Sequence, residues 1–156
     1  MAEYVDWDSF LNAVEEDIEE SFWKISDTII EIWKREVEDK FYGLYNPSEY
    51  IRDYQTLDSI RMLNVSKNIN GQIEIEIGYD TSLIHTSTYI GKQSGLERER
   101  HSDPSMQPIY VEEGFFGYGV EREGSHALEY MLKYIKGNDF KALFANELRK
   151  LGYILK

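Results

Sequence analysis

Between Asp6 and Phe41 the chain contains neither proline nor glycine. Apolar residues recur there at Phe10, Leu11, Val14, Ile18, Phe22, Ile25, Ile29, Ile32 and Val37, mostly in steps of three and four. That is the period of one face of an α-helix. The residues between are largely acidic: Glu15, Glu16, Asp17, Glu19, Glu20, Glu31 and Glu38. The spacing predicts one long amphipathic helix. Asp6 is placed to cap its start, with Val5 and Phe10 as a hydrophobic staple. Gly43 and Pro47 bound its far end. At about 1.5 Å per residue such a helix is a rod of roughly 50 Å. A domain of this chain length has a diameter of roughly 40 Å. Either the helix bends, or a partner covers the end of its apolar stripe.

The 156 residues suit a single domain, 1–156, large enough to bury a core. There is no cysteine, which removes disulfides, thiol nucleophiles and cysteine metal sites. No apolar run reaches membrane-spanning length and the first residues do not form a signal peptide. The expectation is a soluble protein made in a cytoplasm, with no membrane partner. The net charge of −12 is uneven: residues 1–42 carry 13 acids against 4 bases. An acidic excess concentrated on the long helix disfavours sequence-specific DNA binding. It is either a solvated helix face or an anionic surface turned toward a basic partner or a path that DNA must traverse without sticking.

After the helix, Asn46-Pro47 marks a turn, and Thr56 to Ser59 fits a short turn or helix end. Arg61 to Ser66 alternates, with Leu63 and Val65 on one face. Asn70-Gly71 is a hairpin turn, and Gln72 to Ile77 alternates strictly, with Ile73, Ile75 and Ile77 inward. The apolar stripe of the long helix is the natural cover for that face. Asp80 to Ile90 fits a further extended segment. Residues 91–108 are polar, with Gly91, Gly95 and Pro104, and read as an extended mobile loop. Pro108 starts a helical turn that Gly114 ends, and Gly114, Gly117 and Gly119 form an aromatic-bearing loop. Ser125 caps one C-terminal helix closed by Gly137. Asn138 or Asp139 caps a second, and Tyr153 to Leu155 suits an edge strand. The fold class is α+β: a long N-terminal amphipathic helix packed on a small antiparallel sheet, with C-terminal helices.

No catalytic pattern stands out. His85, His101 and His126 have no metal-ligand spacing and read as exposed structural histidines. Ser94 and Ser125 lack the surroundings of a nucleophile. The glycines at 114, 117 and 119 lack the order and the lysine of a phosphate loop, and their neighbours Glu112, Glu113 and Glu121 repel phosphate. A metal-dependent hydrolase needs clustered carboxylates, and a site could be assembled from Asp80, Glu112, Glu113, Glu121 and Glu123. In so acidic a chain coincidence explains them better. No cofactor or metal is expected. Surfaces remain, and aromatic and arginine side chains dominate interface energy. The candidate interface residues are Glu15, Glu16, Glu19, Glu20, Trp23 and Trp33 on the helix, Arg98 and Arg100 in the polar loop, and Phe115 and Phe116 between glycines. For the two phenylalanines core packing is equally compatible.

The order of parts resembles a family of small tailed-bacteriophage proteins, the minor structural proteins that join head to tail or complete the tail. The long helix leads into Tyr45-Asn-Pro-Ser-Glu-Tyr-Ile-Arg-Asp-Tyr-Gln-Thr-Leu-Asp-Ser-Ile60, where Arg52, Leu57, Ser59 and Ile60 match the family's junction into a strand. A hairpin, a variable loop, Tyr110-Val-Glu-Glu-Gly114 and a closing helix at Asn138–Leu151 follow in the same order. The resemblance spans most of residues 10–151. The loop 91–108 and the doubling of the C-terminal helix are not part of its pattern. It implies an α+β virion subunit at the neck or upper tail that forms a ring with copies of itself. It also implies contacts with neighbouring neck or tail proteins, DNA passing without specific binding, and no catalysis. The alternatives are the metal-dependent hydrolase and an acidic adaptor, a nucleic-acid mimic that binds a basic partner.

Overall fold

In the computed structural model the described residues are 6–44, 54–68, 72–85, 88–93, 96–101, 103–117 and 120–154. Helix α1 spans Trp7–Val37 and is followed without a break by a π turn over Glu38–Tyr42. The Asp6 carboxylate accepts a hydrogen bond from Ser9 N at 2.7 Å and so caps α1 as its sequence predicts. Val5 of the expected staple and Pro47 lie outside the described residues. The π turn has a geometric reason. Core residues Ile25, Ile29, Trp33 and Val37 follow at intervals of four, and each such step overshoots a full turn by about 40°. The stripe therefore drifts around the helix. The wider π turn swings Phe41 back, leaving it 8% exposed.

Helix α2 is a single turn, Gln55–Asp58. It delivers the chain to β1, Ile60–Lys67, which pairs antiparallel with β2, Ile73–Tyr79. The alternation in β2 is as expected: Ile73, Ile75 and Ile77 are half-buried, Glu74 and Glu76 exposed. In β1 the expectation needs correcting. The register shifts between Met62 and Asn64, so Leu63 is an extra residue. Met62 and Val65 are half-buried, whereas Leu63 turns outward at 43% exposed. A period-two reading cannot anticipate a bulge.

Among the described residues of 91–108 the backbone forms strands and the start of a helix, where the sequence reads as a loop. Strand β3, Thr88–Gln93, pairs with β4, Leu96–His101, and helix α3, Gln107–Glu113, begins before the region ends. Pro108 lies in the first turn of α3 and Gly114 ends it with φ 94°, a backbone conformation that suits glycine. The glycine-rich stretch is the hairpin of β5, Gly114–Gly117, and β6, Val120–Glu123. Helices α4, Ala127–Lys136, and α5, Asn138–Lys150, close the fold. The α5 N-cap is Gly137 rather than Asn138 or Asp139. No strand forms at Tyr153 and Ile154; Tyr153 instead donates to the Asp17 carboxylate at 2.9 Å.

The architecture is α+β, with three two-stranded hairpins among the described residues. The core joins α1 to Ile60 of β1, Val111 of α3, and Ala127 and Met131 of α4. It lies along the C-terminal two-thirds of α1. Among the described residues from 6 to 20 no side chain is fully buried, and Leu11 is 46% exposed. The chain itself reaches this part of α1 at Glu15, through Lys67, and at Asp17, through Tyr153.

Candidate functional site

One carboxylate ties the elements together. Glu112, in the last turn of α3, accepts from Trp33 Nε1 of α1 at 2.8 Å and from the Tyr79 hydroxyl of β2 at 2.5 Å, both at Oε1. Its Oε2 accepts from Leu128 N of α4 at 2.8 Å and, at 3.5 Å, from the Ser125 hydroxyl. The cap of α4 is assembled from two elements. His126 occupies the cap position in the left-handed region, φ 49°, without a side-chain bond. The preceding Ser125, expected to cap the helix, accepts from Ala127 N at 3.3 Å, and Glu112 takes the next amide. A negative charge there also suits the helix dipole. Burial, followed by the charge of Glu112, holds the Tyr79 phenol well above its usual range, so it remains a donor.

This arrangement is structural. Both oxygens of Glu112 are occupied by donors from three other elements, so the residue acts as a clamp. Asp80 caps the 3₁₀ turn Thr81–Leu83 through Ser82 N at 3.1 Å and lies 3.7 Å from Arg61. Glu113 is exposed. Among the described residues no three acidic or histidine side chains gather in a metal-binding cluster; the side chain of Glu121 lies outside the described residues. The exposed His85 donates its backbone amide to Gln55 Oε1 at 2.7 Å.

The candidate contact residues separate into groups. Trp33 is corrected outright: it is 4% exposed, stacked edge-on against Tyr79 with ring centroids 5.2 Å apart, and belongs to the core. Trp23 is 43% exposed and available at the surface. Arg98 and Arg100 lie in β4, Phe115 and Phe116 in β5; their side chains lie outside the described residues. Glu15 forms an ion pair with Lys67 near the tip of the β1–β2 hairpin, Glu19 is half-buried, and Glu20 pairs with Lys24 at 2.6 Å. Glu16 and Glu20 begin a longer feature. Together with Asp27, Glu31 and Glu38 they are all exposed, spaced by four and seven residues, and line the face of α1 opposite its core stripe. The acidic cluster expected near the start of the helix is thus one end of a stripe that runs from Glu16 to Glu38 in the following π turn. Asp27 was missed because no acidic neighbour flags it; its helical phase does.

The second surface feature is apolar. A cavity of about 310 Å³ opens between α1, β2 and α4. Phe22, Ile25, Ile29, Ile75, Ile77 and Met131 form its floor and walls. Its rim carries Leu128 (41% exposed), Leu132 (45%) and Ile135 (37%), one face of α4 at intervals of four and three. The groove and its rim form a continuous apolar surface across α1, β2 and α4.

No curated protein and no solved structure matches the chain. The family model YomN, which describes a phage SPBeta-type family, matches residues 6–126, from the α1 cap to the residue that opens α4, more than half of the sequence. The matched region contains Trp33, Tyr79, Glu112 and Ser125, so all of the clamp but Leu128 lies inside it, and α4 and α5 lie outside. The chain belongs to the YomN family and is a phage-derived protein.

Proposed function

We propose that this phage protein is a virion structural subunit of the head–tail junction, at the neck or in tail completion, which forms a ring with copies of itself and contacts neighbouring neck or tail proteins. The observation that carries the reading is the two-sided α1. One face holds the core and, toward the N-terminus, the exposed Leu11. The opposite face is the continuous acidic stripe Glu16, Glu20, Asp27, Glu31 and Glu38. Turned toward a lumen, that stripe repels phosphate and lets DNA pass without binding. The reading involves no catalytic step and no cofactor.

Electron microscopy of the phage particle with antibody-labelled protein tests the position. Label at the neck or upper tail is the expected result; absence of the protein from purified particles refutes it. The lumen assignment has its own test. Reversing Glu16, Glu20, Asp27 and Glu31 to lysine should leave the subunit folded and impair DNA passage. Normal DNA delivery by such particles would show that the stripe does not face DNA. An acidic adaptor would present the same stripe to a basic host protein. It would be absent from particles, which separates the two readings.

A further inference from the structure

We infer that the β3–β4 hairpins of neighbouring copies stack face on face, the arginine face of one on the glutamate face of the next. The inference rests on the proposed ring and names a contact within it. Three observations carry it. First, the pairing register sorts charge by face. Residues directly opposite in an antiparallel pair share a face, and successive residues alternate. Arg98 and Arg100 stand opposite Gly91 and Tyr89 on one face; Glu97 and Glu99 stand opposite Lys92 and Ile90 on the other. The first face carries two bases and no acid, the second two acids against one lysine, with His101 at its end. Second, the spacings coincide. Alternate residues of a strand lie about 6.8 Å apart, so the arginines of one copy and the glutamates of the next repeat at the same interval. Stacked sheets sit about 10 Å apart, a gap that an arginine and a glutamate span together. Third, the hairpin has little other cover. Strands β3 and β4 form a sheet of their own, and among the described residues no other element packs on them beyond a marginal contact. A lone two-stranded hairpin is marginally stable in water and gains from a further layer. The hairpin also carries three bases against two acids in a chain of net charge −12. Copies of so acidic a chain repel one another, and the arginine face supplies the opposite charge at the point of contact. Because the two faces differ, the contact is heterologous. It closes into a ring or continues as a filament, in contrast to a two-fold dimer.

A charge-exchange experiment tests this. Arg98→Glu with Arg100→Glu makes both faces acidic. Glu97→Arg with Glu99→Arg makes both basic, and Lys92→Glu in the same variant keeps an opposite charge across from position 97. Circular dichroism verifies that each variant folds. In sedimentation velocity at low salt the unmodified protein should self-associate, and each variant alone should associate at least about tenfold more weakly. An equimolar mixture should regain the unmodified strength, because each acidic hairpin then stacks between two basic ones. A chain with all five substitutions has its two faces exchanged and should self-associate as the unmodified chain does. Raising the salt from about 0.05 M to about 0.5 M should weaken every one of these associations. Either variant alone associating as strongly as the unmodified chain would overturn the inference. So would a mixture that gains nothing, a five-substitution chain that stays monomeric, or an unmodified protein monomeric at its highest soluble concentration. Particles built normally from both variants would reject this contact and leave the virion reading standing. Absence of the protein from particles, with association recovered in the mixture, would do the reverse.

Discussion

Replacing Glu112 tests whether one carboxylate holds α1, β2, α3 and α4 together. In Glu112→Ala three short hydrogen bonds are lost: those from Trp33 Nε1, Tyr79 Oη and Leu128 N, at 2.8, 2.5 and 2.8 Å. A bond to a charged acceptor contributes about 1.5–3 kcal/mol, and a buried donor left without a partner costs about 1–3 kcal/mol. Leu128 N lies at the exposed end of the site and water can replace its acceptor. Tyr79 is half-buried and its hydroxyl is free to rotate toward a new partner. The indole N–H of Trp33 belongs to a side chain only 4% exposed and has no such recourse. The full cost falls on Trp33 and a reduced one on the other two, giving a loss of about 3–4 kcal/mol. Glu112→Gln keeps an oxygen for Trp33 and Tyr79 but turns an amide donor toward Leu128 N, and should lose about 1–2 kcal/mol. Urea unfolding followed by circular dichroism measures both. The order unmodified, glutamine, alanine is expected. A Glu112→Ala variant within about 0.5 kcal/mol of the unmodified chain, the range of an ordinary surface substitution, would refute the clamp.

Two further predictions follow from the same junction. Gly124 is buried where the chain passes from β6 to α4, and a Cβ there would overlap the backbone carbonyl oxygen of Glu112. Gly124→Ala should therefore cost at least about 3 kcal/mol, at the upper end of point substitutions, and a melting temperature equal to that of the unmodified protein would disprove the close approach. Tyr79 titrates higher in the folded chain than in the unfolded one, where its value is near 10.0. Above that pH the unfolded chain releases a proton that the folded chain retains, so stability is complete below about pH 10 and falls above it by about 1.4 kcal/mol per pH unit. Tyr79→Phe should flatten the alkaline slope of unfolding free energy by that amount; an unchanged slope would show that the phenol is not held by burial and Glu112.

Much of the fold was legible because its signals are local. Helix α1 is written in an uninterrupted i, i+3, i+4 pattern with an aspartate cap. Strand β2 is written in strict alternation, and α3 in a proline at its start and a glycine at its end. The errors fall where a local reading meets a longer-range constraint. Leu63 faces outward because β1 bulges against β2. Residues 91–108 read as a loop because Glu97 to Arg100 carry no hydrophobic period, yet β3 and β4 pair through backbone groups that every residue type supplies. Trp33 looked like a contact residue because aromatic type alone does not distinguish a core side chain from an interface one.

The sequence by itself determined a cysteine-free α+β chain organised on one long amphipathic helix, and the concentration of its negative charge on that helix. Periodicity and composition suffice for such conclusions, since each depends only on neighbours along the chain. Tertiary structure alone decided the role of Glu112. In sequence it is one of two adjacent glutamates flanking a glycine-rich stretch; in space its oxygens receive donors from residues 33, 79 and 128. It also decided how far the core extends along α1. The fully buried side chains of α1 begin at Ser21, and no pattern within the helix records where that burial starts.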